Sequence, residues 1–339
     1  MKAAVVGLGP QGLRIVKALR ACPGMEISAV VDSRPQAFEN PEIPASAKRF
    51  DAASKLWDSG AANLVCIATN GPSHATLALQ AIAAGASHLL VEKPMACSVG
   101  DCEAMIEQAD KKKVRLAVNH ARRFDPAYLW VREQIRSGRW GTPRAMWIQR
   151  PGIGLGCLGV HSFDQVNHFT GLEVDGVQAW IDKPVGPNPR GEQFVDPGGQ
   201  VLLHCGSDFR ATVVQIEDGA GPMSIEMNFT KARVRMDDLS GDVEIIERDR
   251  SVKPGPNRPP AFQRCQMPEQ LKAKPDVGVM LAGLLKDMLG DGPMESDGRL
   301  GQATIEILMA AYVSQRQGHG VIDPRSLSAE DRARCLSVT

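Results

Sequence analysis

The sequence predicts an α/β chain in two parts: a doubly wound, parallel-sheet domain over residues 1–120, then an α/β domain with a mostly antiparallel sheet over 121–339. Three observations predict it. A G-x-G-x-x-G spacing (Gly7, Gly9, Gly12) follows an apolar run directly and opens a helical pattern. Near-continuous apolar runs alternate with helical periodicity as far as about residue 119. Beyond 120, short runs separated by Gly, Asp and Pro turns replace that alternation.

The elements follow in order. Ala3–Val6 is a strand that stops at Gly7, and Leu13, Ile15, Val16 and Leu19 mark the helix after the glycines. Residues 27–31 are a second strand, ending on Asp32, 20 residues after Gly12. Strands are expected at 64–68, 87–91 and 114–118, with helices at 73–84 and 99–111 between them. A helix at 127–137 and a strand at 144–149 begin the second part. Strands at 174–181, 199–205, 211–216, 222–228, 231–236 and 242–246 read as an antiparallel succession. Residues 253–260, rich in proline, are a loop. Helices return at 277–289 and 300–317, the last coming back beside the sheet.

Each part of the opening motif has a physical task in dinucleotide binding. Gly7 permits the tight turn, Gly9 lets the backbone approach a pyrophosphate, and Gly12 lets the helix pack closely on the strand. Pro10 and Gln11 complete the loop, and the helix N-terminus faces the phosphate charge. Asp32 accepts from the adenosine ribose hydroxyls, and its carboxylate repels a 2′-phosphate, which favours NAD over NADP. Ser33 belongs to the same set. Arg34 could instead pair with that phosphate, or stack on the adenine.

At 339 residues the chain suits two domains, since single cores seldom grow past about 250–300 residues. Lys plus Arg and Asp plus Glu stand at 39 each, so no global field draws nucleic acid or a membrane surface, and neither is expected as a partner. No apolar run reaches transmembrane length, and the N-terminal run, passing straight into the glycine motif, reads as a strand rather than a signal peptide. The eight cysteines are scattered with no C-x-x-C pair, so reduced thiols and a cytoplasmic protein are expected.

Three further segments carry chemistry. In Ala68–His74 a strand runs into a polar loop at the carboxyl edge of the sheet. Thr69, Asn70, the Pro72 turn and His74 are candidate cofactor contacts, with Ser73 as an alternative N-cap and His74 readable as structural. In Val91–Pro94, Lys93 beside a nicotinamide would donate to a substrate oxygen, with Glu92 orienting it. A residue before proline is held extended, and a cis Lys93–Pro94 bond is plausible. In Gly159–His168, His161, Asp164, Gln165 and His168 fall on one helix face. His161 is the candidate proton carrier, and Asp164 could hold its tautomer or bind a substrate hydroxyl. His168 also reads as a packed or surface histidine. A second carboxylate at ligand spacing is missing, so no metal is expected.

Together these segments resemble the Gfo/Idh/MocA oxidoreductases: G-L-G-P-Q-G, A-T-N-G-P-S-H-A, V-E-K-P, N-H-A-R-R-F-D-P-A-Y (119–128) and G-V-H-S-F-D. The resemblance implies a Rossmann domain followed by an α/β domain whose open, mostly antiparallel sheet mediates homodimers or homotetramers. It implies NAD-dependent (or NADP-dependent) hydride transfer to or from a carbinol of a sugar or polyol-like substrate. Lys93 becomes the catalytic lysine and His161 the acid/base histidine. Arg122 and Asn119 join the cofactor side, and Arg123, Cys157, Asp164 and His168 the substrate side. Many members carry an aspartate four residues before the histidine, where this chain has Cys157, so either Asp164 takes that duty or the chemistry is altered. The loop at 150–156 is also short and glycine-rich. Two further readings of the fold remain open: an NAD-dependent glycosidase using transient oxidation, and a dinucleotide-binding sensor.

Overall fold

The run Lys2–Val6 forms β1, and every residue after its lysine is buried, the mark of a strand inside a two-sided parallel sheet. The computed structural model describes residues 1–338 apart from 153, 238–239, 254, 258 and 273–275. Residue 153 of the short glycine-rich loop and residues 254 and 258 of the proline-rich segment therefore lie outside the described residues. After β1 come α1 (Pro10–Ala21), β2 (Glu26–Val31), β3 (Lys48–Phe50), α2 (Ala53–Ser59), β4 (Leu64–Ile67) and α3 (Gly71–Ala83). Then follow β5 (His88–Val91), α4 (Val99–Lys112) and β6 (Arg115–Val118). The strands pair in parallel in the order β3-β2-β1-β4-β5-β6. The order reverses between β1 and β4, and a crevice opens beyond their carboxyl ends at that switch point. β3 and α2 have no counterpart in the sequence reading, because Lys48–Phe50 is three residues long and has no buried residue.

The second part opens with α5 (Pro126–Arg136), β7 (Pro143–Pro151), a π-helical turn over Gly154–Gly159 and α6 (Val160–Thr170). β8 (Gly176–Ile181), β9 (Gly199–Cys205), β10 (Phe209–Ile216) and β11 (Ser224–Phe229) follow. β12 (Ala232–Asp237), β13 (Val243–Arg248) and β14 (Phe262–Cys265) complete the sheet, and β14 was not anticipated from the sequence. Among the described residues the strand order is β14-β13-β12-β11-β7-β10-β9-β8, antiparallel throughout except where β10 pairs with β7. One face is packed against α6 and, after α7 (Val277–Leu289), against α8 (Gly298–Arg316). A short α9 (Ala329–Ala333) ends the helices.

The closing helices do more than return beside the sheet. Leu281, Leu284, Leu285 and Met288 of α7 share one core with Val5, Ile15 and Leu19 of the parallel domain. α8 begins against that domain, where its Gly301 faces Val118 and Met95, and ends on the second sheet, where the Ala179 amide donates to Ser314 Oγ (3.0 Å). The chain end lies between the two parts: the Leu336 amide donates to Cys97 O (2.8 Å), and the Val195 amide to Ser337 O (2.8 Å).

Candidate active site

Gly7 has φ +92°, a left-handed conformation that turns β1 into α1 without a Cβ penalty. A Cβ on Gly12 would sit 1.9 Å from Gly7 O, so only glycine lets α1 approach the strand this closely. α1 starts at Pro10 with Gly9 as a cap that offers no side chain, and its first turn carries no acid, which leaves the N-terminal amides to an anion. Asp32 stands across the crevice, 8% exposed. The Leu8 amide donates to its Oδ2 (2.8 Å), and Arg34 grips it through its amide and Nε on Oδ1 (2.9 and 3.0 Å) and Nη2 on Oδ2 (2.9 Å). Burial raises the Asp32 carboxyl, but these donors outweigh it and hold the group below the usual range. Arg34 is thus bound to Asp32 rather than extended toward a phosphate or an adenine. The crevice, of about 570 Å³, is lined by Gly9, Pro10, Ser33, Thr69 and Asn70, among others.

α3 begins at Gly71 with Asn70 as its cap, so Ser73 is not the N-cap. Its Oγ instead bonds Thr69 Oγ1 (2.7 Å) and donates to Asn70 O (2.8 Å), fixing the loop. His74 is not brought to the crevice. It is buried, with Nδ1 on Pro94 O (2.8 Å) and Nε2 on Thr69 O (3.0 Å), and it ties the cofactor loop to the lysine loop.

The Lys93–Pro94 bond is cis, and it follows β5 directly. Lys93 Nζ donates to Cys157 O (2.8 Å) across the domain boundary and lies 3.7 Å from Cys157 Sγ. Glu92 is buried beside it and accepts from Asn119 Nδ2. Among the described residues Asn119 Oδ1 is buried with no hydrogen-bond partner, an acceptor left over beside Glu92. Glycine cradle, Asp32 and this orphan acceptor fit a bound NAD.

One turn after Cys157, at the start of α6, His161 is partly exposed, and among the described residues its ring makes no hydrogen bond. Desolvation by the surrounding protein, then the charges of Lys93, Arg122 and Arg150, push its pKa well below the ordinary value, so it is a neutral base at neutral pH.

The face read from the α6 spacing is divided among different partners. Asp164 neither holds the His161 tautomer nor takes the place of the missing aspartate: Arg123 Nε donates to its Oδ1 (2.7 Å), and both side chains are buried in that pair. Arg123 Nη2 also donates to Asn167 Oδ1 (2.9 Å), which leaves the arginine committed within the protein. Gln165 accepts from Arg150 Nη2 (3.1 Å), and His168 packs on Tyr128 and Phe169 with Nδ1 3.5 Å from Arg132 Nη1, so His168 is structural. A helix of this spacing has a wide stripe, and here α5, β7 and the segment after β6 each take a part of it.

Two residues were missed. Asp196, in the loop before β9, accepts from the Gly156 and Cys157 amides (both 2.7 Å) and so holds the turn whose carbonyl anchors Lys93. Burial pushes its carboxyl up to about 6, against the pull of those amides and of Lys93. His120, 1% exposed, sets its ring edge-on to His161 with centroids 5.9 Å apart. Among the described residues no group of three or more His, Cys, Asp or Glu is placed to hold a metal, and no helix is long and apolar enough to cross a membrane.

Residues 1–120 match the model of a family described as "Oxidoreductase family, NAD-binding Rossmann fold". An inositol 2-dehydrogenase from an Arthrobacter species is 32% identical over 63% of this chain and 66% of its own length. The rhizopine catabolism protein MocA of Rhizobium meliloti is 30% identical over 50% of this chain and 57% of its own. The matched stretch thus spans less than two thirds of these relatives. A levoglucosan dehydrogenase solved with NADH superposes with a TM-score of 0.81 over 95% of this chain and 98% of its own, at 16% identity, a likeness of fold.

Proposed function

Since the chain belongs to the GFO_IDH_MocA oxidoreductase family through its NAD-binding Rossmann domain, residues 1–120, we propose that it is an NAD-dependent dehydrogenase of secondary carbinols in sugars, inositols and related polyols. The observation that carries this reading is the meeting of Lys93 with the turn leading into His161: Nζ is held on Cys157 O at 2.8 Å, one helical turn from a neutral imidazole. A sensor needs no such convergence of a donor and a base.

The crevice residues Gly9, Asp32 and Thr69, with Asn119 beside Glu92, would hold the cofactor, and Asp32 would favour NAD over NADP. Bound there, NAD supplies the acceptor for the substrate's hydride. His161 takes the hydroxyl proton on its free ring nitrogen, and its depressed pKa keeps it able to do so below the usual histidine range. Lys93 donates to the same oxygen and stabilises the charge that grows there, a role suited to a group aimed before reaction begins. In the reverse direction both groups protonate and polarise a ketone. The turn held by Asp196 fixes where Lys93 points. A cytoplasmic homodimer or homotetramer, joined through the uncovered face of the second sheet, belongs to the same reading.

The test is a thermal-shift titration with NAD and NADP, alone and with a cyclitol and sugar panel, read beside NADH absorbance. Lys93→Met should lower turnover by about 100–1000-fold, the usual effect of deleting one oxyanion donor, with NAD affinity unchanged. Full turnover in that variant would sink the assignment. A glycoside cleaved without net NADH would point to transient oxidation instead.

A further inference from the structure

His120, two residues before the Arg122–Arg123 pair, is 1% exposed, yet among the described residues neither ring nitrogen has a hydrogen-bond partner. Its backbone is fixed: its amide donates to Val118 O (2.7 Å) and its carbonyl accepts from the Arg123 amide (3.0 Å). The packing that buries the ring holds it in one place. It stands between His161, at 5.9 Å between centroids and an interplanar angle of 85°, and Asp164, whose Oδ2 lies 4.0 Å from Nδ1, beyond hydrogen-bond reach. Asp164 is already satisfied by Arg123. A buried polar group left without a partner is destabilising, so such groups are rare unless a ligand completes them.

We propose that His120 is a substrate-binding residue, taking a hydroxyl on the carbon next to the reacting carbinol and so selecting vicinal diols, as in cyclitols and pyranoses, over isolated secondary alcohols. The proposal rests on the dehydrogenase reading above and deepens it. A neutral imidazole offers one donor and one acceptor, the complement of a hydroxyl, which is also both. Burial, with Arg123 and Lys93 nearby, outweighs the pull of Asp164 and keeps the ring neutral. Two imidazoles at this separation, one serving as base and one as anchor, are spanned by two hydroxyls on adjacent carbons. A monohydric alcohol engages His161 and leaves His120 as unpaired as it is in the free protein, so the second contact that a vicinal diol gains is what discriminates.

His120→Phe and His120→Leu are compared with wild type on myo-inositol, trans-cyclohexane-1,2-diol and cyclohexanol. The expected result is a loss of about 10–100-fold in kcat/KM for the two diol-bearing substrates, carried mainly by KM, with cyclohexanol and NAD affinity unaffected. Ligand-free, the apolar variants should melt at or above the wild-type temperature, because they remove an orphaned group. A purely structural histidine would lower it, and that outcome would overturn the proposal, as would an equal loss on cyclohexanol. If wild type oxidises none of the three, the dehydrogenase reading fails separately. The thermal shift given by myo-inositol with NADH then decides: its loss in both variants supports the role of His120. Its persistence, or its absence from wild type, overturns that role.

Discussion

Asp196 shows how one buried side chain sets behaviour that no motif announces. Its carboxyl is pushed up to about 6 in the folded protein, against a reference of 3.8. A carboxyl raised in this way favours the folded state fully below the reference value, and that contribution is lost as pH rises through about 6. Asp196→Asn removes the titration while keeping one acceptor for the Gly156 and Cys157 amides. Thermal unfolding from pH 4 to 7 should therefore show the variant gaining on wild type as pH rises, whatever its fixed offset from one unmet amide. A constant gap would mean that the group does not titrate there. The positions of Asp32, Lys93 and His161 were legible in the sequence, Asp32 as the end of a strand 20 residues after Gly12, Lys93 just past a strand end before a proline, and His161 at the start of a helix. Asp196 and His120 were not, since a loop aspartate and a lone histidine acquire meaning only from what packs around them.

At the scale of elements, the strands and helices followed from period and punctuation, with misses where the elements are short and polar, as in β3 and β14. The contents of the α6 face were less legible. Spacing put His161, Asp164, Gln165 and His168 together, and packing then distributed them among different partners. The π-helical turn before α6 is equally invisible in sequence, though its glycines have a steric cause. A Cβ on Gly156 would lie 2.5 Å from Val338 Cβ, and Val338 is fully buried. Gly156→Ala must displace either the chain end or the turn that presents Cys157 O to Lys93. Overpacking of this kind is destabilising by about 1–3 kcal/mol, readable in urea unfolding. Turnover should fall by about 10-fold or more through misplacement of Lys93, with NAD affinity intact. Loss of stability alone, at full turnover, would show that the chain end yields and the turn does not.

At the scale of the whole molecule, the described residues cover the second sheet on one side only. Along β7, Met146 and Ile148 point into the core, whereas Trp147 between them is 46% exposed on a strand with four neighbours on one side and three on the other. Around it lie Arg210, Thr212, Glu226, Asn228 and Arg235, framing a shallow hollow of about 500 Å³. A large aromatic at the centre of a polar frame on a flat sheet is the composition of an association surface, apolar in the middle and charged at the rim. Self-association through a two-fold axis would place this face on its own copy, and a stable contact needs about 800 Å² from each partner, within reach of a sheet this wide. Trp147→Lys puts two cations at the middle of such an interface. Light scattering should then give the 36.5 kDa monomer where wild type gives a dimer or larger assembly. NAD binding should survive, because the crevice lies on the other sheet and no residue of the hollow lines it. A wild-type protein that is itself monomeric would remove the interface, and a variant that stays assembled would move it to another surface.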